Sequence, residues 1–409
     1  MNPLLISGFG TSINVDSRRL VISNKNEKKY LEFYPHKIDY DSIIVDGHTG
    51  YVTFEAMRWI LKHNIKLVML NWNGNLLGTV FPEEPKSGKL RMMQQERYLD
   101  HDARLEIATC IVNKKIDNTL ALLKELNKTY DFVNYHDVMQ TVSKEKQFLA
   151  QHLESKSEKS FKRIMNYEGK IAIKYYENIK KIFNSIYPEF KFDARKDKTS
   201  SRNTNASDEI NALLNYGYAI LESEVRKCIN SVGLDPAIGF LHEPTQAKSP
   251  LVYDVQELYR WIVDISVIQL LEEHKLKKKD FIITENYNMR LREKTAKLLI
   301  EKIKNNFNKK VPYKRNRNHT YQNILLNNVQ ILANFISGKS KNLKFEISIP
   351  TSENMPEFKV LRLKILGMTP EQRRGLKLNK STLWYLKKSL ESGKKPKIYQ
   401  KVLEKIEIS

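Results

Sequence analysis

Three acidic residues and one histidine in this chain have the chemistry of divalent-metal ligands. An amphipathic helix is predicted over residues 161–183, and Glu168 interrupts its apolar stripe, which includes Met165. A buried carboxylate requires a cation, strong hydrogen-bond donors or a shifted pKa, so we predict a positive group beside Glu168. Further along, His242 precedes a predicted helix that carries Asp254 and Glu257. Together these side chains could hold a divalent ion.

The helix predicted to begin near Val252 has two carboxylates on one side. Asp254 and Glu257 are three residues apart, so they lie one turn from each other and can face the same cation. Asp264 is predicted on the same stripe. Taken singly, His242 is more often a hydrogen-bonded structural histidine, and the acids are more often solvated. Their occurrence together favours a metal site. An oxygen-rich ligand set with one imidazole suits Mg²⁺ or Mn²⁺ better than Zn²⁺.

The charge of the chain indicates the substrate class. Its 409 residues carry a formal charge of +22, which favours a polyanion as partner, with nucleic acid as the first candidate. Clustered acids would repel DNA unless a divalent ion neutralised them, so this combination favours a metal-dependent nuclease or strand transferase over a pure DNA-binding protein. Cys110 and Cys228 lack the spacing of a zinc site.

The chain is expected to be a soluble, intracellular protein of the cytoplasm. No apolar run approaches the ~20 residues of a membrane-spanning helix, so we expect no membrane partner. The N-terminus also lacks the pattern of a signal peptide.

The predicted fold is an α+β multidomain architecture, because the chain is too long for one ordinary core. Residues 1–85 contain short runs rich in branched and aromatic residues, which predict a small β-rich domain with one helix over 53–63 and a hairpin at Asn73-Gly74. From 90 to 305 the apolar period changes to 3.6, which predicts a large all-α catalytic domain. Its longest predicted helices cover residues 103–126, 159–186, 207–231 and 252–273.

The rest of the chain is strongly basic. Residues 306–355 are predicted as a basic and polar connecting segment, and 302–317 include seven Lys or Arg and no acid. Residues 356–409 predict a helix-turn-helix domain, whose second helix covers 380–390. The alternative is a basic helical hairpin that does not bind in a DNA groove. The predicted DNA contacts are Lys314, Arg315, Arg317, Arg373, Arg374, Lys380 and Lys388.

A series of short motifs along residues 1–300 resembles the signature of the CRISPR adaptation integrase and of its transposon-borne relatives, the casposases. The motifs include Lys115 and Asn118 in Ile-Val-Asn-Lys-Lys-Ile-Asp-Asn, Tyr167-Glu168-Gly169, Arg202 with the segment 211–218, the segment 239–242, and Asp254 through Arg260. The resemblance implies that Glu168, His242 and Glu257 are the metal ligands, with Asp254 adjacent in the catalytic set. It also implies dependence on Mn²⁺ or Mg²⁺ and a homodimer formed through the N-terminal sheet domain.

The C-terminal extension distinguishes two branches of this family. The ordinary CRISPR integrase ends near the close of the helical domain, whereas the appended basic helix-turn-helix resembles the casposase arrangement. The leading prediction is therefore an integrase, or transposase, that joins the 3′-hydroxyl ends of a mobile element to double-stranded target DNA by transesterification. The alternatives are a CRISPR adaptation integrase and endonuclease that inserts spacers, and a non-catalytic helix-turn-helix DNA-binding protein.

Overall fold

The structure is a computed structural model that describes most of the chain. The described residues are 2–7, 9–24, 28–35, 37–47, 49–71, 74–82, 87–152, 158–194, 206, 208–243, 249–283, 289–313, 317–347, 349 and 378–391. The chain divides into two compact units, one comprising Met1–Leu120 and Tyr135–Ser348 and the other Ala121–Asn134 and Ile349–Ser409. Among the described residues, no helix has the length and apolar character needed to cross a membrane.

The N-terminal part of the larger unit contains two four-stranded sheets. The first has the order β1 (Pro3–Ser7), β5 (Ser42–Asp46), β7 (Lys66–Leu70) and β8 (Leu76–Val80), with β8 antiparallel and the others parallel. The second has the order β4 (Lys29–Phe33), β3 (Arg19–Asn24), β2 (Thr11–Asp16) and β6 (Gly50–Val52), with only β6 parallel to its neighbour. The β-rich N-terminal region predicted from branched and aromatic residues is therefore confirmed.

Helix α1 (Phe54–Lys62) helps to bury the two sheets in a common core. It begins after Thr53, whose hydroxyl accepts a hydrogen bond from the Ala56 N–H and so satisfies one donor of the first turn. Trp59 and Ile60 pack with apolar residues of both sheets in one buried cluster. The predicted hairpin joins β7 to β8, and Gly74 takes the left-handed φ of +80° that its turn requires.

Helices form most of the remaining larger unit, as predicted. They are α2 (Gly88–Leu99), α3 (His101–Asn127), α4 (Tyr135–His152), α5 (Glu158–Ile186), α6 (Glu209–Val232), α7 (Pro250–Glu257), α8 (Arg260–Glu273), α9 (Glu293–Phe307) and α10 (Tyr321–Ile336). Two short antiparallel ribbons accompany them, β9 (Phe281–Ile283) with β10 (Met289–Leu291), and β11 (Lys310–Tyr313) with β12 (Arg317–Thr320). Single 3₁₀ turns lie at Pro188–Phe190 and Lys278–Asp280.

The helix predicted over residues 252–273 is two helices. The helix is interrupted at Leu258 and Tyr259, between α7 and α8, and Tyr259 has the non-helical angles φ −124° and ψ 0°. The amide of Asn118 on α3 donates a hydrogen bond to the Leu258 carbonyl over 2.9 Å, which satisfies a backbone acceptor at the break. Glu257 therefore lies at the end of a helix rather than in its middle.

The predicted connecting segment, residues 306–355, contains the β11–β12 ribbon and the 16-residue helix α10. Sequence reasoning missed α10 because six Asn or Gln side chains are distributed through it and obscure its apolar period. Leu325, Val329 and Leu332 of this helix are buried at 1% exposure or less. This stretch therefore contributes to the core of the larger unit.

In the smaller unit, the described residues include one complete helix, α11 (Lys380–Glu391). It confirms the helix predicted over residues 380–390. Leu386 is fully buried, whereas Trp384 is 61% exposed, and the Lys388 ammonium lies 4.5 Å from the centre of the Trp384 ring. The partner helix of the helix-turn-helix lies outside the described residues, so the motif itself stays a prediction.

Candidate functional site

Lys115, Glu168 and Glu257 meet at one point, although they come from helices α3, α5 and α7. The Lys115 ammonium donates a hydrogen bond to Glu168 Oε1 and lies 2.5 Å from Glu257 Oε2. Glu257 Oε2 is buried and faces this ammonium directly. The three side chains are 20%, 18% and 8% exposed, respectively. Lys115 thus supplies the positive group that was predicted beside Glu168.

The buried face of α5 differs from the predicted apolar stripe. Ile164, Tyr167 and Ile171 are buried at 1% exposure, whereas Met165, which was assigned to the stripe, is 37% exposed. The core face is therefore rotated by about one residue, and Glu168 flanks it. This position leaves the Glu168 carboxylate close to the core and within reach of solvent.

Glu257 is held as a carboxylate by two cations. Arg260 Nη1 donates a hydrogen bond of 3.1 Å to Glu257 Oε1, while Lys115 faces the other oxygen. Burial alone would raise the pKa of Glu257, but the charges of Lys115 and Arg260 outweigh it and lower the pKa to about 2. Protons therefore do not compete for this carboxylate near neutral pH.

His242 is oriented by Asp254. The fully buried Asp254 carboxylate accepts hydrogen bonds from the backbone N–H groups of Phe240, Leu241 and His242 over 2.5, 3.0 and 2.9 Å. Its Oδ1 also lies 2.8 Å from His242 Nδ1. When Nδ1 carries the proton of this contact, the lone pair for a metal is on Nε2.

Charge near the His242 ring changes its acid–base behaviour. Burial lowers the pKa of the imidazole, but the hydrogen bond with Asp254 and the charges of Asp254 and Glu257 together outweigh burial, so the pKa is raised. The charge of Lys115 acts in the opposite direction. His242 is therefore electrostatically coupled to the Lys115–Glu257 ion pair.

The loop before α7 approaches that helix closely because residue 239 is glycine. A Cβ atom at Gly239 would lie 2.6 Å from Pro250 Cβ and 2.9 Å from Asp254 Oδ2. Both distances are shorter than real Cβ contacts allow. The glycine thus lets the backbone N–H groups of the loop reach Asp254.

Asp254, Glu257 and Asp264 do not share one surface stripe, contrary to the sequence prediction. All three are buried, and Asp264 lies on α8, beyond the break. The Asp264 carboxylate accepts hydrogen bonds from the hydroxyls of Tyr175 and Tyr218. Asp264 is therefore satisfied within the core and is not one of the site acids.

Sequence reasoning did not assign a role to Arg260 or Tyr218. The Arg260 guanidinium lies 4.2 Å from the centre of the Tyr218 ring, so the tyrosine supports the arginine that holds Glu257. The i,i+3 spacing of Glu257 and Arg260 is a signal that could have suggested their ion pair. The support by Tyr218 has no local signal, because it comes from another helix.

The donor set fits a hard divalent ion. No three His, Cys, Asp or Glu side chains in the described part of the chain already stand in a metal-holding arrangement. Glu168 and Glu257 nevertheless face one cationic point, where the Lys115 ammonium lies 2.5 Å from Glu257 Oε2. Two carboxylates and one imidazole are ligands that suit Mg²⁺ or Mn²⁺.

Most of the predicted DNA contacts cannot be placed in the site. Lys380 and Lys388 are exposed on α11 in the smaller unit. The backbone of Arg317 begins β12, and its side chain is outside the described part. Lys314, Arg315, Arg373 and Arg374 lie outside the described residues, as does Arg202.

Comparisons with known sequences match most of this chain. The family model described as CRISPR associated protein Cas1 matches residues 4–305. A CRISPR-associated endonuclease Cas1 of Francisella tularensis subsp. novicida is 31% identical over 68% of this chain and 81% of its own length. A second endonuclease of this name, from Archaeoglobus fulgidus, is 27% identical over 83% of this chain and 97% of its own length.

Solved structures extend the likeness beyond the family model. A casposase bound to its integration product is 35% identical, with a TM-score of 0.77, over 89% of this chain and 98% of that chain. A Cas1 protein from Thermotoga maritima has the same fold, with a TM-score of 0.65 at 19% identity over 85% of this chain and 100% of that chain.

Proposed function

This chain belongs to the Cas1 family, and from that premise we propose that it is a metal-dependent DNA integrase of the casposase type, which joins 3′-hydroxyl ends to target DNA. The resemblance to casposases and the expectation of an enzyme are confirmed by relatives that are named a casposase and endonucleases. One observation carries the chemical proposal. Glu168 and Glu257 converge on a single cationic point, beside a histidine that Asp254 orients.

A CRISPR adaptation integrase is the second candidate, because the curated relatives carry CRISPR-associated names. The casposase type is favoured by the higher identity, 35%, and by a likeness that covers 89% of the chain, whereas the family model ends at residue 305. Neighbouring genes distinguish the candidates. A polymerase gene and flanking inverted repeats are expected for a casposase, and a partner adaptation gene with a repeat array for the alternative.

In the proposed reaction, the oxygen of a terminal 3′-hydroxyl attacks a phosphorus of the target strand, and the P–O bond to the neighbouring target nucleotide breaks. One phosphodiester replaces another, so no external energy source is needed. A bound divalent ion would neutralise charge on the attacked phosphate and help to activate the hydroxyl. Glu168, Glu257 and His242 would hold that ion.

The supporting residues hold the ligands in place. Asp254 fixes the ring of His242 through Nδ1, which leaves Nε2 for the ion. Arg260 holds Oε1 of Glu257, so Oε2 stays directed toward the point where Lys115 now lies. These contacts restrict the ligand side chains before the ion binds, so less conformational entropy would be lost on binding.

The proposed DNA contacts follow the basic charge of the chain. The casposase to which this chain is similar is bound to its integration product, which supports double-stranded DNA as the partner. Residues 302–317 would hold backbone phosphates, including Lys314, Arg315 and Arg317. The 356–409 domain would recognise element ends or target through Arg373, Arg374, Lys380 and Lys388. Residues 1–85 would form the contact between the two subunits of a homodimer, and residues 90–305 of each subunit would form its catalytic domain.

A strand-joining assay tests the chemistry. A labelled oligonucleotide with a free 3′-hydroxyl is incubated with plasmid and Mn²⁺, and the joined product is quantified. Glu168→Ala, His242→Ala and Glu257→Ala are expected to abolish joining while retaining DNA in a gel shift. Glu145→Ala is the control, because Glu145 pairs with the exposed Lys170 outside the site. Full joining by Glu168→Ala would refute the assignment.

The DNA contacts are tested by truncation and salt. Deletion of residues after 356 should weaken site selection more than the joining step, and unchanged selection would contradict the recognition role. Affinity of the full chain should fall steeply with salt because neutralised phosphates release counterions. A DNA affinity that does not change with salt concentration would exclude the basic residues as the DNA-binding surface.

A further inference from the structure

The ammonium of Lys115 lies where two proposed metal ligands meet. It donates to Glu168 Oε1 and lies 2.5 Å from Glu257 Oε2. Both carboxylates would otherwise face each other with like charge at the edge of the core, at 18% and 8% exposure. The lysine therefore neutralises the same oxygens that a divalent ion would use.

We propose that Lys115 is an internal counter-ion, which holds the two carboxylates together before metal binding and leaves them when the ion enters. This inference rests on the proposed function, since it requires that Glu168 and Glu257 bind a metal. An ammonium and a divalent ion in contact with the same pair of oxygens repel each other, so binding of the ion favours departure of the lysine. Metal affinity is therefore reduced by the free energy needed to move the lysine.

Lys115, and not Arg260, is the cation that leaves. Arg260 binds the other oxygen of Glu257 and lies over the Tyr218 ring, so its guanidinium is held on two sides. Lys115 has a flexible four-carbon stem, and 20% of its side chain reaches solvent. Its ammonium can move toward solvent while Arg260 keeps Glu257 in position.

Lys114 provides a matched control on the same helix. Its ammonium donates a hydrogen bond of 2.9 Å to the Ile347 carbonyl and has no contact with the site acids in the described residues. Lys114→Met therefore removes the same charge one residue away. Any general effect of lowering the positive charge of α3 will occur in both variants.

Mn²⁺ binding to the full chain, followed by electron paramagnetic resonance of the free ion, tests the inference. We expect Lys115→Met to bind Mn²⁺ at least 10-fold more tightly than wild type, with Lys114→Met within 2-fold of wild type. Without metal, Lys115→Met should melt at a lower temperature than wild type, and saturating Mn²⁺ should raise its melting temperature by more. Equal or weaker binding by a folded Lys115→Met would overturn the counter-ion role.

A measurement on the wild type decides the matter if Lys115→Met does not fold. Reductive methylation of lysines, read by mass spectrometry, should modify Lys115 faster in the presence of Mn²⁺ than in its absence, while the rate at Lys114 is unchanged. No acceleration at Lys115 would contradict displacement. If neither wild type nor a folded Lys115→Met binds Mn²⁺, the proposed metal site itself fails, a result distinct from equal binding by both.

Discussion

Two lysine–glutamate ion pairs in the larger unit have similar chemistry and opposite accessibility. Lys66 on β7 pairs with Glu224 on α6, and their side chains are 2% and 1% exposed. Lys115 pairs with Glu168 and Glu257 at 20%, 18% and 8% exposure. One pair is sealed between the N-terminal sheet and the helices, whereas the other borders solvent.

In the first pair, Glu224 Oε2 is buried without a hydrogen-bond partner among the described residues, whereas in the second Glu257 Oε2 lies 2.5 Å from the Lys115 ammonium. An unsatisfied oxygen therefore does not by itself identify a metal site. Access to solvent and a nearby histidine distinguish the second pair, because the charges of Glu257 and Lys115 act on His242. The sealed pair maintains the fold, whereas the open pair is the one that we propose to exchange its cation.

The largest difference is expected when each pair loses one carboxylate charge. Glu168→Gln should lower Mn²⁺-dependent joining by at least about 1,000-fold, because a neutral amide is a poor ligand for a hard ion. Glu224→Gln should leave joining per folded molecule within a few-fold of wild type and should reduce the folded fraction. Joining assays normalised to folded protein by circular dichroism measure both. Comparable loss of joining in the two variants would remove the distinction.

Folding stability should depend more on the sealed pair than on the open one. Lys66→Met leaves Glu224 buried without a cation and should lower the free energy of unfolding by about 3–5 kcal/mol. The double variant Lys66→Met with Glu224→Leu should recover most of this loss, since no charge is then left in the core. Urea unfolding measures both. A double variant as unstable as Lys66→Met would show that packing, and not charge, dominates the sealed pair.

The pair of Asp46 and Arg290 adds a pH-sensitive case. Burial raises the pKa of Asp46 from 3.8 to about 6, although the charge of Arg290 opposes it. The pKa of Asp46 is therefore higher in the folded protein than in the unfolded chain. The stability that depends on protonated Asp46 is complete below pH ~3.8 and is lost as pH rises through 6. Across this window it amounts to about 3 kcal/mol.

Asp46→Asn tests this sign. Urea unfolding at pH 4 and pH 6.5 should show a smaller decrease of stability with rising pH in the variant than in wild type. Parallel pH profiles of the two proteins would mean that Asp46 does not titrate in this range.

The smallest expected effect concerns the orientation of His242. Asp254→Asn should weaken Mn²⁺ binding by about 10- to 100-fold, because the imidazole loses the carboxylate that fixes its ring. Calorimetric titration of folded protein measures this change, and Glu145→Gln, which removes the charge that pairs with Lys170 outside the site, should bind as wild type does. Unchanged binding by Asp254→Asn would exclude His242 as a ligand that depends on Asp254.

Local sequence patterns predicted the elements of the fold better than their contacts. Branched residues predicted β5 and β7, and apolar periods predicted α5 and α6, because these signals lie within each segment. The break at Leu258 was not predictable, since Leu258 and Tyr259 are apolar and continue the helical period. The backbone carbonyl at the break is satisfied by a hydrogen bond from Asn118, which is 140 positions away and which no local pattern indicates.

The site was predicted only in part for the same reason. The need for a cation at Glu168 follows from one carboxylate among apolar residues, whereas the choice of Lys115 depends on a contact across 53 positions. Asp254 and Asp264 look equivalent in sequence, yet one binds the backbone of a loop and the other binds two tyrosines. Tertiary packing, and not local pattern, assigns these acids their roles.

Anomalous diffraction from a crystal soaked in Mn²⁺ would show whether Glu168, His242 and Glu257 share one divalent ion, as we propose. We expect a Mn²⁺ peak within coordination distance of one oxygen of each glutamate and of His242 Nε2, with the Lys115 ammonium moved away from the carboxylates. A peak at other residues, or three side chains that remain directed to separate points in saturating Mn²⁺, would refute the shared site.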